Sequence, residues 1–546
     1  MASIYDKASL VLIPSGTKTS KVYSQVPTNG DGDFTFSRST AATRVNASGN
    51  IEKETQNLLL QSNSFLTSWV RSGYTLTSGQ SGYDGSSNAW LAECTSAGQA
   101  LYQTSNASGV STFSMHLKEG TANFLRLRAD QSVDAIAVFD LSNGSVHSFN
   151  GNVIDTNVVD LGGGWYRCSI TWNIDTLSNV QVRAEDGNGS PILGTFYIQD
   201  AQLEQGLVAR DYIETTTTAI YGGITDNVPR LDYTDSSCPA LLLEPQRTNI
   251  CPNSEDVSNW YLTFATATPN DAISPEGVQN AAKIVTSNSG CDVKLTSIPV
   301  SPSTTYTASF YCKLTSGSGL QTRFYDNTNG ANIEYYDYTS QVAVGEWKRV
   351  TRTFTTPAGC NNIQIWFLAA SSSASVTAHY WGYQLEAGSY STSYIPTYGS
   401  AVTRNGDSAN VLNLDTNNIV GDTQWSFLAE FDVDGNAPST DKIRFTDASG
   451  QPRVYLYNDA AGFAGGWGGA FTAGQNRVKV LWRLNTLRSA DIFGAGEKKV
   501  SVTAQPSDLI VDRLLLNGNQ GTFKLYNIII FPTALTDQEA IDLTTL

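Results

Sequence analysis

Two stretches of this 546-residue chain carry the same landmarks in the same order, and no other feature narrows the fold as much. One opens Gln56-Asn-Leu-Leu-Leu-Gln-Ser-Asn-Ser and reaches Trp69; the other opens Arg247-Thr-Asn-Ile-Cys-Pro-Asn-Ser and reaches Trp260. Both have an Asn near the start, an Asn-Ser step and a Trp at the same offset. Further on come Gly164-Trp165-Tyr-Arg-Cys-Ser-Ile-Thr-Trp172 and Glu346-Trp347-Lys-Arg-Val-Thr-Arg-Thr-Phe354. Bulky apolar and polar residues alternate in both, the period of a strand with one buried face. Each stretch closes on a matching strand and turn, Phe196 to Gly206 through Leu203-Glu204 and Tyr380 to Gly388 through Leu385-Glu386. From Trp165 to Leu203 and from Trp347 to Leu385 is 38 positions in both cases. Agreement at three places with one shared spacing makes these tandem copies of one fold.

Composition says what kind of fold. Aromatics make up 10% of residues and charged residues only 15%, which is enough apolar material for folded domains. The 46 glycines and the many Ser, Thr and Asn suit short strands joined by tight turns, so the chain reads as all-β. One core cannot serve this length; at about 150 residues per domain, three or four are expected. Turn signals between the strands of each copy point to a β-sandwich or jelly roll.

The net charge of −16 opposes binding to a phosphate backbone, so no nucleic-acid partner is expected. No run of 18 apolar residues occurs and Met1-Ala-Ser-Ile-Tyr-Asp has no signal-peptide pattern, so membrane insertion and Sec export are not expected. Seven cysteines without a close pair read as reduced thiols, several of them buried; with three histidines, zinc is a poor fit.

The opening Asn-Leu-Leu, the Trp-Tyr-Arg or Trp-Lys-Arg strand and the closing Gln-Leu-Glu-x-Gly resemble the carbohydrate-binding-module-like jelly rolls of phage structural proteins. A second resemblance lies around the repeats. Phe34-Thr-Phe-Ser-Arg38 through Ala42-Thr-Arg44-Val-Asn to Gly49-Asn-Ile-Glu52 is similar to the FxRxSxATRVNxxGxIE element of phage tail and virion proteins, with Thr40 in place of Ser. Asn227-Val-Pro-Arg230-Leu-Asp-Tyr233 and Ala240-Leu-Leu-Leu-Glu244-Pro-Gln-Arg247 resemble the element that follows it. The first jelly roll lies between the two, which implies a small platform split by an insertion. Pro229 and Pro245 bar helix and central strand there. Arg38, Arg44 or Arg230 pairing with Asp232 or Glu244 would hold loops that lack a core; the functional alternative is an anionic ligand.

After residue 400 the style changes. Strands such as Trp425-Ser-Phe-Leu-Ala-Glu-Phe431 lead to Phe531-Pro-Thr-Ala-Leu535-Thr-Asp537, with Thr536 or Asp537 capping a short helix. This ending resembles concanavalin A-like (laminin-G-like) sandwiches. The expected fold is therefore all-β, with tandem β-sandwich or jelly-roll domains on a small split platform and a C-terminal concanavalin A-like sandwich. The expected bounds are 1–55 for an N-terminal arm and the first half of the platform, 56–222 for jelly roll 1, 223–246 for the second half, 247–400 for jelly roll 2 and 401–546 for the last sandwich. Leu10-Val-Leu-Ile13 is either part of a docking arm or a peripheral strand of the platform.

No G-x-S-x-G, H-E-x-x-H, Walker or EF-hand motif occurs, and no enzyme activity is expected. Glu204 and Glu386 recur at one place in both copies and read as structural. Aromatics are the better functional candidates, because a sugar's C–H face stacks on a ring that costs little entropy to hold. Trp69, Trp165, Trp260 and Trp347 are assigned to cores. The candidate contacts are Trp467 in its glycine-rich loop, Trp90, Tyr83, Tyr325, Tyr335 and Tyr336, with Tyr74 a further platform residue. No cofactor is required; calcium is the one ion considered, through Asp140, Asp200, Asp432 or Asp434. The resemblance implies a phage virion structural protein of tail- or head-fibre or adsorption type, made in the host cytoplasm and displaying glycan-binding modules for host attachment. Its partners would be other virion proteins, further copies of itself (a trimer among the options) and a host-surface glycan. A structural decoration or assembly protein is the alternative, and a polysaccharide depolymerase the third reading.

Overall fold

The computed structural model describes residues 4–174, 176–258, 260–286, 292–369, 375–433, 442–456, 461–463, 477–486, 488–502, 510–518 and 521–545. Regular structure among its described residues is almost entirely strand, with one α-helix, Asp537–Thr544, and two short 3-10 helices. Thr536 caps that helix and forms a reciprocal box with Glu539, as the sequence implies.

The two copies share one strand order. In the first, one sheet runs Val153–Gly162, Trp165–Ile174, Gly109–Glu119, Gly194–Gln205, Ala89–Cys94 and Tyr74–Gln80. In the second it runs Lys348–Thr355, Thr305–Ser316, Val376–Ala387, Ala281–Thr286 and Ala265–Ala272. We call this the closing sheet, since it holds the closing strand. The opposite sheet runs Ser145–Phe149, Ala135–Asp140, Phe124–Asp130, Asn179–Glu185, Leu101–Thr104 and Val70–Arg71 in copy 1. In copy 2 it runs Ala331–Asp337, Leu320–Asp326, Asn362–Ala369, Asp292–Pro299 and Tyr261–Thr263. Copy 1 has one more edge strand on each sheet. Even the register is kept, with Phe113 opposite Leu203 and Ala308 opposite Leu385.

Buried polar side chains explain why the landmark residues recur. Asn57 donates to the carbonyls of Ala201 (3.0 Å) and Ile213 (2.8 Å) and accepts from the Leu59 and Leu203 amides. Asn249 does the same with Tyr383 (3.0 Å), Ile395 (2.9 Å), Cys251 and Leu385. Gln202 and Gln384 donate to Glu204 and Glu386 and accept from Ile213 and Ile395. These glutamates are structural, as read. The hydroxyl pairs Ser62–Tyr212 and Ser254–Tyr394, both 2.6 Å, correct the sequence alignment. Ser62 is the counterpart of Ser254, two positions before the Ser64 of the first Asn-Ser step. The Tyr-Ile-x-Thr that follows each closing strand was a further signal, unread.

The segments expected to form a small split platform do not stand alone. Leu10–Leu12 and Ala240–Leu243 both pair with Phe523–Phe531, and Phe34–Ser37 pairs with Ser408–Val411. Leu10, Phe34, Phe36, Leu241 and Leu243 share one core with Trp425, Phe445 and Trp482. The physical reason is shortage of apolar area: so few apolar residues cannot make a core alone, so they complete the two sheets of the C-terminal sandwich. Both jelly rolls are therefore insertions into one sandwich, and Leu10–Leu12 is a strand of it.

Two buried charge clusters tie these units together. Arg230 pairs with Glu244 (2.6 Å) and Asp407, Arg38 with Asp407 (3.1 Å), and Arg404 with Glu244 (2.6 Å). Glu244 also accepts from the amide of Ser393 in copy 2 (2.7 Å). Arg44 instead pairs with Glu52, and Asp232 accepts from the Val45 amide and Lys524. Burial and pairing with carboxylates of the chain itself remove Arg38 and Arg230 as anion ligands. In the second cluster Lys53 meets Glu255 (2.6 Å) and Glu276 (3.0 Å), while Arg210 of copy 1 meets Glu276 (2.7 Å).

Candidate functional site

On the opposite sheet of copy 2, strand alternation decides which side chains face out. Along Leu320–Asp326 every second residue is buried, which leaves Gln321, Arg323 and Tyr325 on the outer face. Hydrogen-bonded register then assembles a row. Tyr261 lies opposite Lys294, Lys294 opposite Trp366, Trp366 opposite Arg323, and Arg323 opposite Tyr335. The row crosses all five strands and, at about 4.8 Å per strand, is about 19 Å long.

Cations alternate with rings along it. The Lys294 ammonium is 4.3 Å from the centroids of both Tyr261 and Trp366. The Arg323 guanidinium is 4.3 Å from Trp366, 4.5 Å from Tyr325 and 5.4 Å from Tyr335. Each such contact contributes about 1 kcal/mol and keeps long side chains ordered at a half-exposed site. Tyr261 and Tyr335 at the ends are 53% and 49% exposed, which marks the row as surface. Amides flank it: the Trp366 indole donates to Gln364 (2.9 Å), Gln364 donates to Asn327 (3.0 Å), and Arg323 Nε donates to Asn332 (2.5 Å). Rings, cations and amides on one open face suit a polar, extended ligand with both C–H faces and hydrogen-bonding groups.

Of the sequence candidates, Tyr325 and Tyr335 are brought together here. Tyr336 turns to the other side of its strand, packs on the core and lies under Arg352 at 4.7 Å. Tyr83 and Trp90 belong to copy 1. The Tyr83 ring covers His116 (4.3 Å) and its hydroxyl donates to Asp200 (3.0 Å), and burial first, then Asp200, pushes that phenol up to about 12. Trp90 is half-buried against the first core, its indole donating to the Asn63 carbonyl (2.8 Å). Trp467 lies outside the described residues, as does Asp434. Tyr74 is buried in the first core and is no platform. Trp69 and Trp260 are core residues and Trp165 is buried, but Trp347 is only half-buried, beneath Lys313, because it stands just before Lys348–Thr355, a strand at a sheet edge.

Asp140 accepts from Ser142 and Asn143, Asp200 serves Tyr83, and Asp432 lies in the C-terminal sandwich. Among the described residues no group of three or more His, Cys, Asp or Glu side chains is placed to hold a metal ion. The six described cysteines are free, and all but Cys238 are buried.

Sequence reasoning missed Tyr261, Lys294, Arg323 and Trp366. One signal was present: in Asn362-Ile-Gln-Ile-Trp366-Phe, the Trp stands in the polar phase of the alternation, where packing does not require it.

Residues 254–373 match the carbohydrate-binding domain family CBM_4_9, and the whole row lies within that span. No curated protein matches the sequence. Among solved structures, the xylan-binding domain of Paenibacillus barcinonensis Xyn10C is 11% identical, covering 26% of this chain and 92% of its own, with a TM-score of 0.21. Tailspike protein 4 of bacteriophage CBA120 is 18% identical over 26% of this chain and 21% of its own, TM-score 0.20. The tripod from the baseplate of bacteriophage Tuc2009 is 14% identical over 51% of this chain and 97% of its own, TM-score 0.18. Likeness this distant speaks for neither ligand nor assembly.

Proposed function

We propose that this chain is a non-enzymatic saccharide-binding protein of a bacteriophage particle, of fibre or adsorption type, with the outer face of copy 2 turned to a host-surface glycan. The observation that carries the binding claim is the five-strand row from Tyr261 to Tyr335, inside the span that matches a carbohydrate-binding family. The virion assignment rests on the platform motifs and on both jelly rolls being inserted into one sandwich, an arrangement that displays modules from a common base. Copy 1 lacks the ring row, which favours a spacer or assembly role for that module. Assembly with other virion proteins and with further copies of itself belongs to this reading.

A glycan array probed with the full chain and with Trp366→Ala tests the binding claim. Binding that depends on Trp366 is expected, and a featureless array would reject it. Reducing-end assays on every bound polysaccharide should stay at background, and labelling of purified particles with an antibody to the chain should decorate them.

A further inference from the structure

The two copies allow the row to be compared with its own counterpart. Matching register places Val70, Tyr102, Gln181, Arg128 and Ile136 of copy 1 where copy 2 has Tyr261, Lys294, Trp366, Arg323 and Tyr335. Only the arginine is shared, and its surroundings differ. Arg128 is neutralised by Asp130 (2.6 Å) and Asp134 (2.8 Å). The counterpart of Asp130, two positions along the strand, is Tyr325. Copy 2 has therefore a ring where copy 1 has the neutralising carboxylate.

The consequence is a guanidinium with its fork unspent. Nε of Arg323 donates to Asn332, and among the described residues the two Nη groups have no carboxylate partner. Asp337, two positions beyond Tyr335, accepts from the Thr339 amide, and Glu334 pairs with Arg352. Trp366 has Lys294 and Arg323 each 4.3 Å from its ring centroid, from the strands on its two sides, so its faces are already occupied by cations. Such a row offers a neutral sugar less open ring face than a bare Trp platform, and offers an anion the ordered fork of Arg323.

We infer that the saccharide taken by this face is acidic, its carboxylate or sulfate held by the guanidinium of Arg323. This rests on the reading of the face as a saccharide site. The chain's net charge of −16 makes the inference sharp, since the bulk field repels polyanions and only a local device can hold one.

The test uses the full chain against alginate, hyaluronate and polygalacturonate, each native and carboxyl-reduced, with dextran sulfate and neutral xylan alongside. At least one acidic polymer should bind about tenfold or more tightly than its neutral form, with binding weakened by salt. A preference for native uronates over dextran sulfate identifies the group as carboxylate, and the reverse as sulfate. Arg323→Gln should remove that preference. So should Tyr325→Asp, which restores the carboxylate that copy 1 carries, while Tyr335→Phe should keep it. Thermal midpoints confirm that each variant is folded. Equal or better binding of neutral polymers, still dependent on Trp366, would overturn the acidic preference and leave the site standing. Absence of binding to every polymer, or binding unchanged in Trp366→Ala, would overturn both.

Discussion

The carbonyl oxygen of Tyr398, at the end of copy 2, lies 1.3 Å from where a β-carbon on Gly109 of copy 1 would stand. Gly109 has a φ of +75°, and the next amide, Val110, donates to that same oxygen at 3.0 Å. The two jelly rolls meet backbone to backbone at a point that only glycine permits.

Gly109→Ala should therefore destabilise the chain by at least about 2 kcal/mol and loosen the junction between copies. Gly49→Ala is the control, since it shares a positive φ of +80° but meets nothing within 4 Å. Thermal unfolding compares them. Similar losses for both would show that the carbonyl contact does not matter.

Asn249→Ala and Asn57→Ala should each cost about 3 kcal/mol, because each strands two buried amides and two carbonyls at once. Calorimetry should show each variant lowering the transition of its own copy. A change below about 0.5 kcal/mol would mean that water replaces the side chain.

Acid should act on the cluster between the copies. Burial would raise the Glu276 carboxyl, but Arg210 and Lys53 outweigh it and hold it at about 2, against an ordinary 4.5. A depressed folded value stabilises above the unfolded one, so this contribution is complete above about pH 4.5 and is lost as pH falls toward 2. Glu276→Gln should flatten the stability profile across that window, and an unchanged profile would assign the acid loss elsewhere.

Arg404→Leu removes one partner of Glu244 inside a buried network and should cost about 3 kcal/mol or more. Adding Glu244→Gln should recover part of that loss, as a double-mutant cycle in denaturant would show. Additive losses would mean the pair is not coupled.

Much of the fold was legible in the chain. Alternation around Trp165 and Trp347 and the shared closing strands announced two sandwiches, and a cap at Thr536 or Asp537 announced the helix. Glu204 and Glu386 read correctly because the same residue appears at the same turn in both copies. The site was half legible: Tyr325 and Tyr335 were singled out by type, yet Tyr336 beside them faces the core, a difference of one residue in a period of two. The bulge opposite Phe324 and Tyr325 shifts that period, and nothing in Ala331–Asp337 announces it.

By itself, the sequence determined the β class, the duplication and the buried side chains that each copy needs, since those depend on local period and on spacing along the chain. Tertiary structure alone decided that Leu10–Leu12 would join Phe523–Phe531, that Arg404 and Asp407 would meet Arg38 and Glu244, and that Tyr261, Lys294, Trp366, Arg323 and Tyr335 would form one row. A strand's alternation says which residues face outward, but not which outward residues of other strands will be their neighbours. That is set by inter-strand register, and register follows from how whole cores pack.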